Sequence, residues 1–129
     1  MNKLLSGRRI LVVEDEMLIL MMIESMLADL GCESITAAAT VVQALALTEG
    51  QTFDAAMLDV NLNGDNSRPV ADALAARGVP FFFSTGNGGH HTMDGYGDRA
   101  ILRKPFIFED LAALFTGLLA LPWSGGSHA

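Results

Sequence analysis

Short apolar runs and longer mixed segments alternate along the chain. Five runs have the apolar, partly β-branched character of strands, at residues 9–13, 34–38, 55–60, 80–84 and 99–102. Segments long enough for helices lie between and after them, at residues 17–30, 41–49, 69–77 and 108–121. The first three of these segments are followed by Gly31, Gly50 and Gly78, and glycine is the residue type that most often ends a helix. The pattern predicts strands that alternate with helices.

The order of these elements predicts the fold class. Parallel strands need a crossover connection, usually a helix, and such crossovers cover both faces of a sheet. We therefore predict one α/β domain, in which a doubly wound, five-stranded parallel sheet lies between two helical layers. Residues 8–121 would form this domain, with residues 1–7 as an N-terminal extension and residues 122–129 as a tail. A further helix is expected between Gly89 and Arg99, although this segment is rich in glycine and therefore a poor helix former.

The composition excludes several classes of protein. Half of the 129 residues are hydrophobic and 18% are charged, which allows a buried core and argues against disorder. The net charge of −7 argues against a nucleic acid or an anionic membrane as the main partner. The longest apolar run, residues 17–23, is far shorter than the ~20 residues that span a bilayer. Cys32 is the single cysteine, so no internal disulfide can form and a cytoplasmic location is expected.

Polar side chains are concentrated where the predicted strands end. They comprise the pairs Glu14-Asp15, Ser84-Thr85 and Arg103-Lys104, together with Asp59. In an open parallel sheet the carboxyl ends of the strands share one edge, where ligands bind. Carboxylates held together at this edge repel one another, and Mg²⁺ bound by carboxylates, water and a phosphate offsets the repulsion. Carboxylates, a metal ion, a lysine and a hydroxyl are together the groups that a phosphoryl-transfer site uses.

Four short motifs carry a family resemblance. They are Val12-Val13-Glu14-Asp15, Leu58-Asp59-Val60, Ser84-Thr85-Gly86 and Leu102-Arg103-Lys104-Pro105-Phe106. In this order and spacing they resemble the CheY-like receiver domain of two-component response regulators, over about residues 8–121. The stretches DVNLNG and PVADALAARGVPFFFSTG are further similar to stand-alone receivers that carry a Phe-Ala-Thr-Gly motif. The resemblance implies a flavodoxin-like, three-layer sandwich with the strand order 2-1-3-4-5.

The same resemblance implies a role for each residue of the polar edge. Asp59 would accept a phosphoryl group from a phosphohistidine, in a reaction that requires Mg²⁺. The metal ligands would be Asp15, Asp59 and the backbone carbonyl of Asn61, with Glu14 acting mostly through water. Thr85 and Lys104 would bind phosphoryl oxygens, and the Lys104-Pro105 peptide bond would be cis, as proline permits.

The resemblance also implies partners. A sensor histidine kinase or a histidine phosphotransfer protein would donate the phosphoryl group, and a downstream protein would receive the signal. The chain would catalyse only its own phosphorylation and dephosphorylation and would not be an enzyme. The last helix, residues 108–121, could extend a homodimer face. Two other functions stay open: a receiver-like binding module that works without phosphorylation, and a haloacid-dehalogenase-like phosphatase, which also uses aspartate, Mg²⁺, a hydroxyl and lysine.

Some residues depart from the family pattern. Ile101 stands where receivers often have the aromatic residue of their switch, so signalling is expected to use backbone movement around residues 86–89. Asn87 stands where the similar receivers usually have an aromatic residue. Asn61 and Asn87 are therefore two amides near the acceptor, and either could orient a hydrolytic water.

Two further features have alternative interpretations. The run at residues 17–23 is apolar nearly all round, which favours a deeply covered core helix. Its methionines also suit a partner-binding face, and the corresponding helix of receivers docks on the histidine kinase. His90 and His91 are adjacent and lack the spacing of metal ligands, so a metal role is not expected for them.

Overall fold

Residues 4–86 and 95–120 are described by the computed structural model, and they contain seven strands and four helices. The strands are β1 (Arg9–Val13), β2 (Ser34–Ala38), β3 (Ala55–Asp59), β4 (Asn61–Leu62), β5 (Asp65–Asn66), β6 (Phe81–Thr85) and β7 (Ile101–Arg103). The helices are α1 (Met17–Asp29), α2 (Val41–Gly50), α3 (Arg68–Ala76) and α4 (Phe108–Leu118). Five strands form a parallel sheet in the order β2-β1-β3-β6-β7, which confirms the predicted fold class and strand order. The other two, β4 and β5, form an antiparallel hairpin.

Helix boundaries follow local signals in the sequence. The Thr40 side chain accepts a hydrogen bond from the backbone N–H of Gln43 at 3.1 Å and so caps the start of α2. Gly31 and Gly78 adopt positive φ angles of 86° and 71° after α1 and α3, a conformation that favours glycine. Gly50 differs from the prediction, because it is the last residue of α2 and not the residue beyond its end.

Two helical layers bury opposite faces of the sheet. α1 and α4 cover one face, which includes Val12, Met57 and Phe82 and is called the α1/α4 face below. α2 and α3 cover the other, the α2/α3 face, which includes Leu58 and Phe83. Successive residues of a strand point to opposite faces, so each strand contributes to both cores. This explains why the central strands are apolar at most positions and show no regular polar alternation.

The helix α1 is covered on one side only. Its buried residues Leu20, Ile23 and Leu27 face the sheet at helical spacing. Four apolar side chains on its other side are 37% to 81% exposed, and they define the α1 apolar face: Met17, Leu18, Met21 and Met22. The favoured prediction of a deeply covered core helix is therefore wrong at these positions. A helix in an outer layer turns one side to the sheet, and these four side chains lie on the side that faces solvent in the described structure.

The segment before β1 is packed into the structure. Leu5 is fully buried among residues of the α1/α4 core, and its N–H donates to the Leu30 carbonyl at 3.0 Å. The Arg8 N–H in turn donates to the Leu5 carbonyl at 3.0 Å. Residues 4–7 belong to the predicted extension, and through Leu5 they nevertheless contact the core at the C-terminal end of α1.

We expect Leu5→Ala to lower the free energy of unfolding by about 2–5 kcal/mol, because a fully buried leucine then leaves a cavity. Urea-induced unfolding followed by circular dichroism measures the change. Leu18→Ala is the matched control: Leu18 is 81% exposed, so its truncation should change the free energy by less than about 0.5 kcal/mol. Equal effects of the two substitutions would contradict the role of Leu5 in the core.

Some expectations concern residues outside the described ranges. They are the roles of Asn87, His90 and His91, the tail at residues 122–129, and the part of the further helix before residue 95. Residues 95–99 of that segment are described, and they contain turns and a bend instead of a helix. Within the described ranges, no helix combines the length and the apolar character that a membrane span requires.

Candidate functional site

Polar side chains from three neighbouring strands lie in one row at the carboxyl edge of the sheet. Glu14 follows β1, Asp59 ends β3, and Ser84 precedes the last residue of β6. Parallel pairing aligns Val13 with Leu58 and Asp59 with Ser84, so the three polar residues lie at the same level. All three are on the α1/α4 face, because the residues two positions earlier in each strand belong to that core. They are 1%, 5% and 1% exposed, so the row is buried.

The Lys104 side chain crosses the sheet edge to reach this row. Its Nζ donates a hydrogen bond to Asp59 Oδ2 at 2.8 Å and forms an ion pair with Glu14 Oε1 at 2.8 Å. Glu16 Oε1, on a more exposed side chain, lies 3.5 Å from the same nitrogen. A Cβ added at Gly86 would lie 3.6 Å from Lys104 Cδ, so the lysine chain passes close to the end of β6. Lys104 thus connects β7 with β3 and β1.

Burial and like charge determine the protonation of the site. Desolvation is the main reason that the pKa of Glu14 lies above its ordinary value; the charge of Asp59 raises it further, and Lys104 opposes the shift. Burial lowers the pKa of the Lys104 ammonium, but the contacts with Asp59 and Glu14 outweigh this effect, so the net pKa is raised. Lys104 therefore stays protonated at neutral pH, and neighbouring carboxylates compete for one cation.

The carboxylate of Asp59 is held through both oxygens. Oδ1 accepts a hydrogen bond from the backbone N–H of Asn61 at 3.2 Å, while Oδ2 accepts one from Lys104. Asn61 begins the β4–β5 hairpin, and its side-chain oxygen accepts from the Gly64 N–H at 2.7 Å. Gly64 has a positive φ of 97°, as the tight turn of this hairpin requires. The hairpin therefore fixes the backbone beside Asp59.

Three carboxylates form a group that can hold a metal ion. One oxygen from each of Glu14, Asp15 and Asp59 lies within 4.8 Å of the others. Oxygen-only donor sets of this kind suit Mg²⁺, which keeps several water ligands beside one or two carboxylates. The nearby negative charge also exceeds the single positive charge of Lys104. The residues present therefore fit a divalent cation such as Mg²⁺.

Thr85 and Lys104 lie at the ends of adjacent strands. The backbone N–H of Lys104 donates to the Thr85 carbonyl at 2.9 Å and extends the β6–β7 pairing by one residue. The Thr85 side chain is half-buried. The Lys104–Pro105 peptide bond is cis, as the family resemblance implies. The structure thus brings the candidate residues to one edge: Glu14, Asp15, Asp59, Asn61, Thr85 and Lys104.

Tyr96 is an aromatic residue that the motifs do not identify. Its ring packs edge-on against Phe81 and Phe83, with centroid distances of 5.6 Å and 6.2 Å. Its hydroxyl donates to Asp72 Oδ1 at 2.7 Å, and this hydrogen bond is the main reason that the pKa of the phenol is raised. Because Phe83 pairs with Ile101 in the sheet, Tyr96 supplies an aromatic contact beside the position where Ile101 replaces an aromatic residue. Nothing in the sequence marks Tyr96 as important except that it is the single tyrosine.

Solved structures resemble the chain over most of its length. SdrG from Sphingomonas melonis Fr1, known from a solution structure, is 44% identical, and the match covers 92% of this chain and 99% of SdrG with a TM-score of 0.78. The BeF3-activated conformation of SdrG from Pseudomonas melonis Fr1 is 43% identical, with 88% and 98% of the two chains covered and a TM-score of 0.75.

A third similar structure is the receiver domain of the sensor histidine kinase PA1611 from Pseudomonas aeruginosa PAO1, which has a magnesium ion coordinated in its active site cleft. It is 27% identical, with 89% of this chain and 99% of that chain covered and a TM-score of 0.73. No curated protein matches the chain. The family model of the response regulator receiver domain matches residues 10–116. The chain therefore belongs to the response regulator receiver domain family.

Proposed function

We propose that this receiver domain accepts a phosphoryl group on Asp59 from a phosphohistidine of a sensor histidine kinase or a histidine phosphotransfer protein. The phosphorylated form then signals by binding a downstream protein. The observation that carries the proposal is the placement of Asp59, whose carboxylate contacts Lys104 at 2.8 Å and belongs to a group of three carboxylates. A lysine beside clustered carboxylates at the carboxyl edge of a parallel sheet supplies the positioning and the charge neutralisation on which phosphoryl transfer depends.

The transfer exchanges one bond to phosphorus for another. A carboxylate oxygen of Asp59 attacks the phosphorus and forms a P–O bond, while the P–N bond to the imidazole breaks and the nitrogen keeps the electron pair. Lys104 holds the acceptor carboxylate and neutralises negative charge on the phosphoryl oxygens. The Asn61 N–H orients the second carboxylate oxygen, and the Thr85 hydroxyl offers an uncharged donor at the neighbouring strand end.

Glu14, Asp15 and Asp59 would hold Mg²⁺, with the backbone carbonyl of Asn61 as a further ligand. When bound, the ion neutralises the charge that collects on the phosphoryl oxygens. Lys104 supplies the positive charge that the chain itself contributes, because its raised pKa keeps it protonated. The domain would comprise residues 8–121 and act in the cytoplasm, and its only chemistry would be its own phosphorylation and dephosphorylation.

The α1 apolar face is the surface that we assign to the phosphohistidine partner. Met17, the first residue of α1, directly follows the acidic segment at residues 14–16, so the face borders the site. Contiguous exposed apolar side chains mark interaction surfaces, and methionine adapts to the shape of a partner. A partner that covers this face can present its phosphohistidine at the edge where Asp59 lies. A homodimer through α4 is a further interaction that this proposal includes.

Two kinds of phosphoryl donor separate docking from chemistry. The double variant Leu18→Ala, Met21→Ala should react with acetyl phosphate and Mg²⁺ at the wild-type rate, because a small donor needs no docking surface. With autophosphorylated histidine kinases and phosphotransfer proteins of the source organism, tested one by one, its rate should fall about tenfold or more. Phosphate-affinity gel electrophoresis of time points measures both rates.

Val42→Ala is the matched control for this experiment, because Val42 is 78% exposed on α2, in the opposite layer. It should react with both kinds of donor at the wild-type rate. If the double variant and the wild type react at equal rates with the protein donor, the α1 apolar face is not the surface that binds the donor. If the wild type takes up no phosphoryl group from any donor, the proposed function is wrong and a phosphorylation-independent binding module is favoured.

A further inference from the structure

Ser84 carries a buried hydroxyl beside the acceptor residue. The residue is 1% exposed, and its Oγ has no hydrogen-bond partner within residues 4–86 and 95–120. A buried hydroxyl without a partner destabilises a fold, because its hydrogen bonds with water are lost and not replaced. Buried polar groups in native structures nearly always have a hydrogen-bond partner, so a role in the neighbouring site would account for this hydroxyl.

The sheet register places Ser84 between Asp59 on one side and Leu102 on the other. All three residues lie on the α1/α4 face, and adjacent strands are only about 5 Å apart. Leu102 has no polar side-chain atom, so Asp59 is the paired residue whose side chain can accept a hydrogen bond from the Ser84 hydroxyl.

The Lys104 side chain passes close to the end of the strand that carries this hydroxyl. Lys104 extends from the end of β7 to Asp59 on β3, and β6 lies between these two strands. The 3.6 Å between Lys104 Cδ and a Cβ added at Gly86, two residues after Ser84, shows that the lysine chain passes close to this end of β6. Ser84 therefore lies on the strand that Lys104 crosses to reach Asp59, and it is paired with Asp59 in the sheet.

We propose that Ser84 is a positioning residue of this site, whose hydroxyl donates a hydrogen bond to the Asp59 carboxyl group during loss of the phosphoryl group. This inference rests on the proposed function. In the described structure the two Asp59 oxygens accept from Asn61 and Lys104. In the phosphorylated form Lys104 also faces phosphoryl oxygens, and Ser84 is then a donor that remains for the carboxyl group.

The expected direction follows from the chemistry of hydrolysis. The oxygen of a water molecule attacks the phosphorus, while the P–O bond to Asp59 breaks and the carboxylate leaves with the electron pair. One proton of the water stays on the oxygen that is now bound to phosphorus, and the other passes to solvent, so inorganic phosphate and the free carboxylate are the products. A hydrogen-bond donor at the leaving carboxylate stabilises the negative charge that develops there. Ser84 should therefore shorten the lifetime of the phosphorylated protein.

The test is the half-life of the phosphorylated protein, measured by intact mass after acetyl phosphate is removed in the presence of Mg²⁺. Ser84→Ala should lengthen the half-life about threefold to tenfold, the effect of one hydrogen bond. Its midpoint of urea unfolding should be unchanged or higher, since an unpartnered hydroxyl is removed. Ser67→Ala is the matched control, because Ser67 is also buried with no Oγ partner among the described residues, but directly precedes α3 as its N-cap residue. Its half-life should equal that of the wild type.

A second pair of variants separates the hydroxyl from packing. Ser84→Thr keeps the hydroxyl, and Ser84→Val has the same shape as threonine without it, so the threonine variant should lose its phosphoryl group several-fold faster. Equal half-lives of wild type and Ser84→Ala, or of the threonine and valine variants, would overturn the role of Ser84 while the proposed function stands. A wild type that takes up no phosphoryl group would overturn both.

Discussion

Asp59→Asn should abolish the gain of one phosphoryl group that wild-type protein shows with acetyl phosphate and Mg²⁺. The amide of asparagine is a poor nucleophile, and it also removes the negative charge that Lys104 contacts at 2.8 Å. Intact-mass measurement over time should show one added phosphoryl group on the wild type and none on the variant. Chelation of Mg²⁺ should reduce the wild-type rate strongly, because Glu14, Asp15 and Asp59 form the candidate metal site.

Asp54→Asn is the matched control for this experiment. Asp54 is also an aspartate next to β3, but it lies at the opposite end of the strand, where it accepts a hydrogen bond from the Arg9 N–H at 2.7 Å. The control should gain the phosphoryl group at the wild-type rate. If Asp59→Asn is modified as fast as the wild type, the acceptor is another residue, and peptide mapping of the adduct would locate it.

Lys104→Met should lower the free energy of unfolding by about 3 kcal/mol in the absence of Mg²⁺, because it leaves two buried carboxylates without their cation. Methionine keeps most of the side-chain length, so the decrease in the free energy of unfolding reflects mainly the loss of the positive charge. Saturating Mg²⁺ should restore more stability to the variant than to the wild type, since its carboxylates lack the competing ammonium. Urea unfolding with EDTA and with Mg²⁺ measures both effects.

Arg77→Met removes a positive charge from an exposed position at the end of α3 and controls for the change in net charge. Its effect should be within about 0.5 kcal/mol, with or without Mg²⁺. An equally small effect of Lys104→Met would show that the carboxylates of Glu14 and Asp59 do not depend on the lysine in solution.

The sequence was informative about the fold because local chemistry and tertiary packing agree there. Strands buried on both faces are mostly apolar, and β3 shows this over Ala55–Leu58, before it ends in Asp59. The caps at Thr40, Gly31 and Gly78 are local backbone requirements, so they can be read without a structure. The strand order came from the family resemblance, and the pairing of the strands confirms it.

The sequence was less informative where a residue's role depends on what lies across from it. The apolar character of residues 17–23 cannot show which side of α1 is covered, and the structure leaves four of its apolar side chains exposed. The sequence predicted Leu5 as part of a short N-terminal extension, but tertiary packing buries it in the core beside α1. Tyr96 is isolated in the sequence, and only the folded chain brings its ring to Phe81 and Phe83.

The candidate site shows both kinds of information. The sequence by itself determined which polar residues gather at this edge, because carboxylates, a hydroxyl and a lysine at the ends of parallel strands lie on the same side of the sheet. Only the tertiary structure decided how they pair: Lys104 reaches across β6 to Asp59 and Glu14, and Ser84 is buried in the same row without a partner among the described residues. Chain order determines the edge on which a side chain lies, whereas strand register and burial determine which groups are within hydrogen-bond distance.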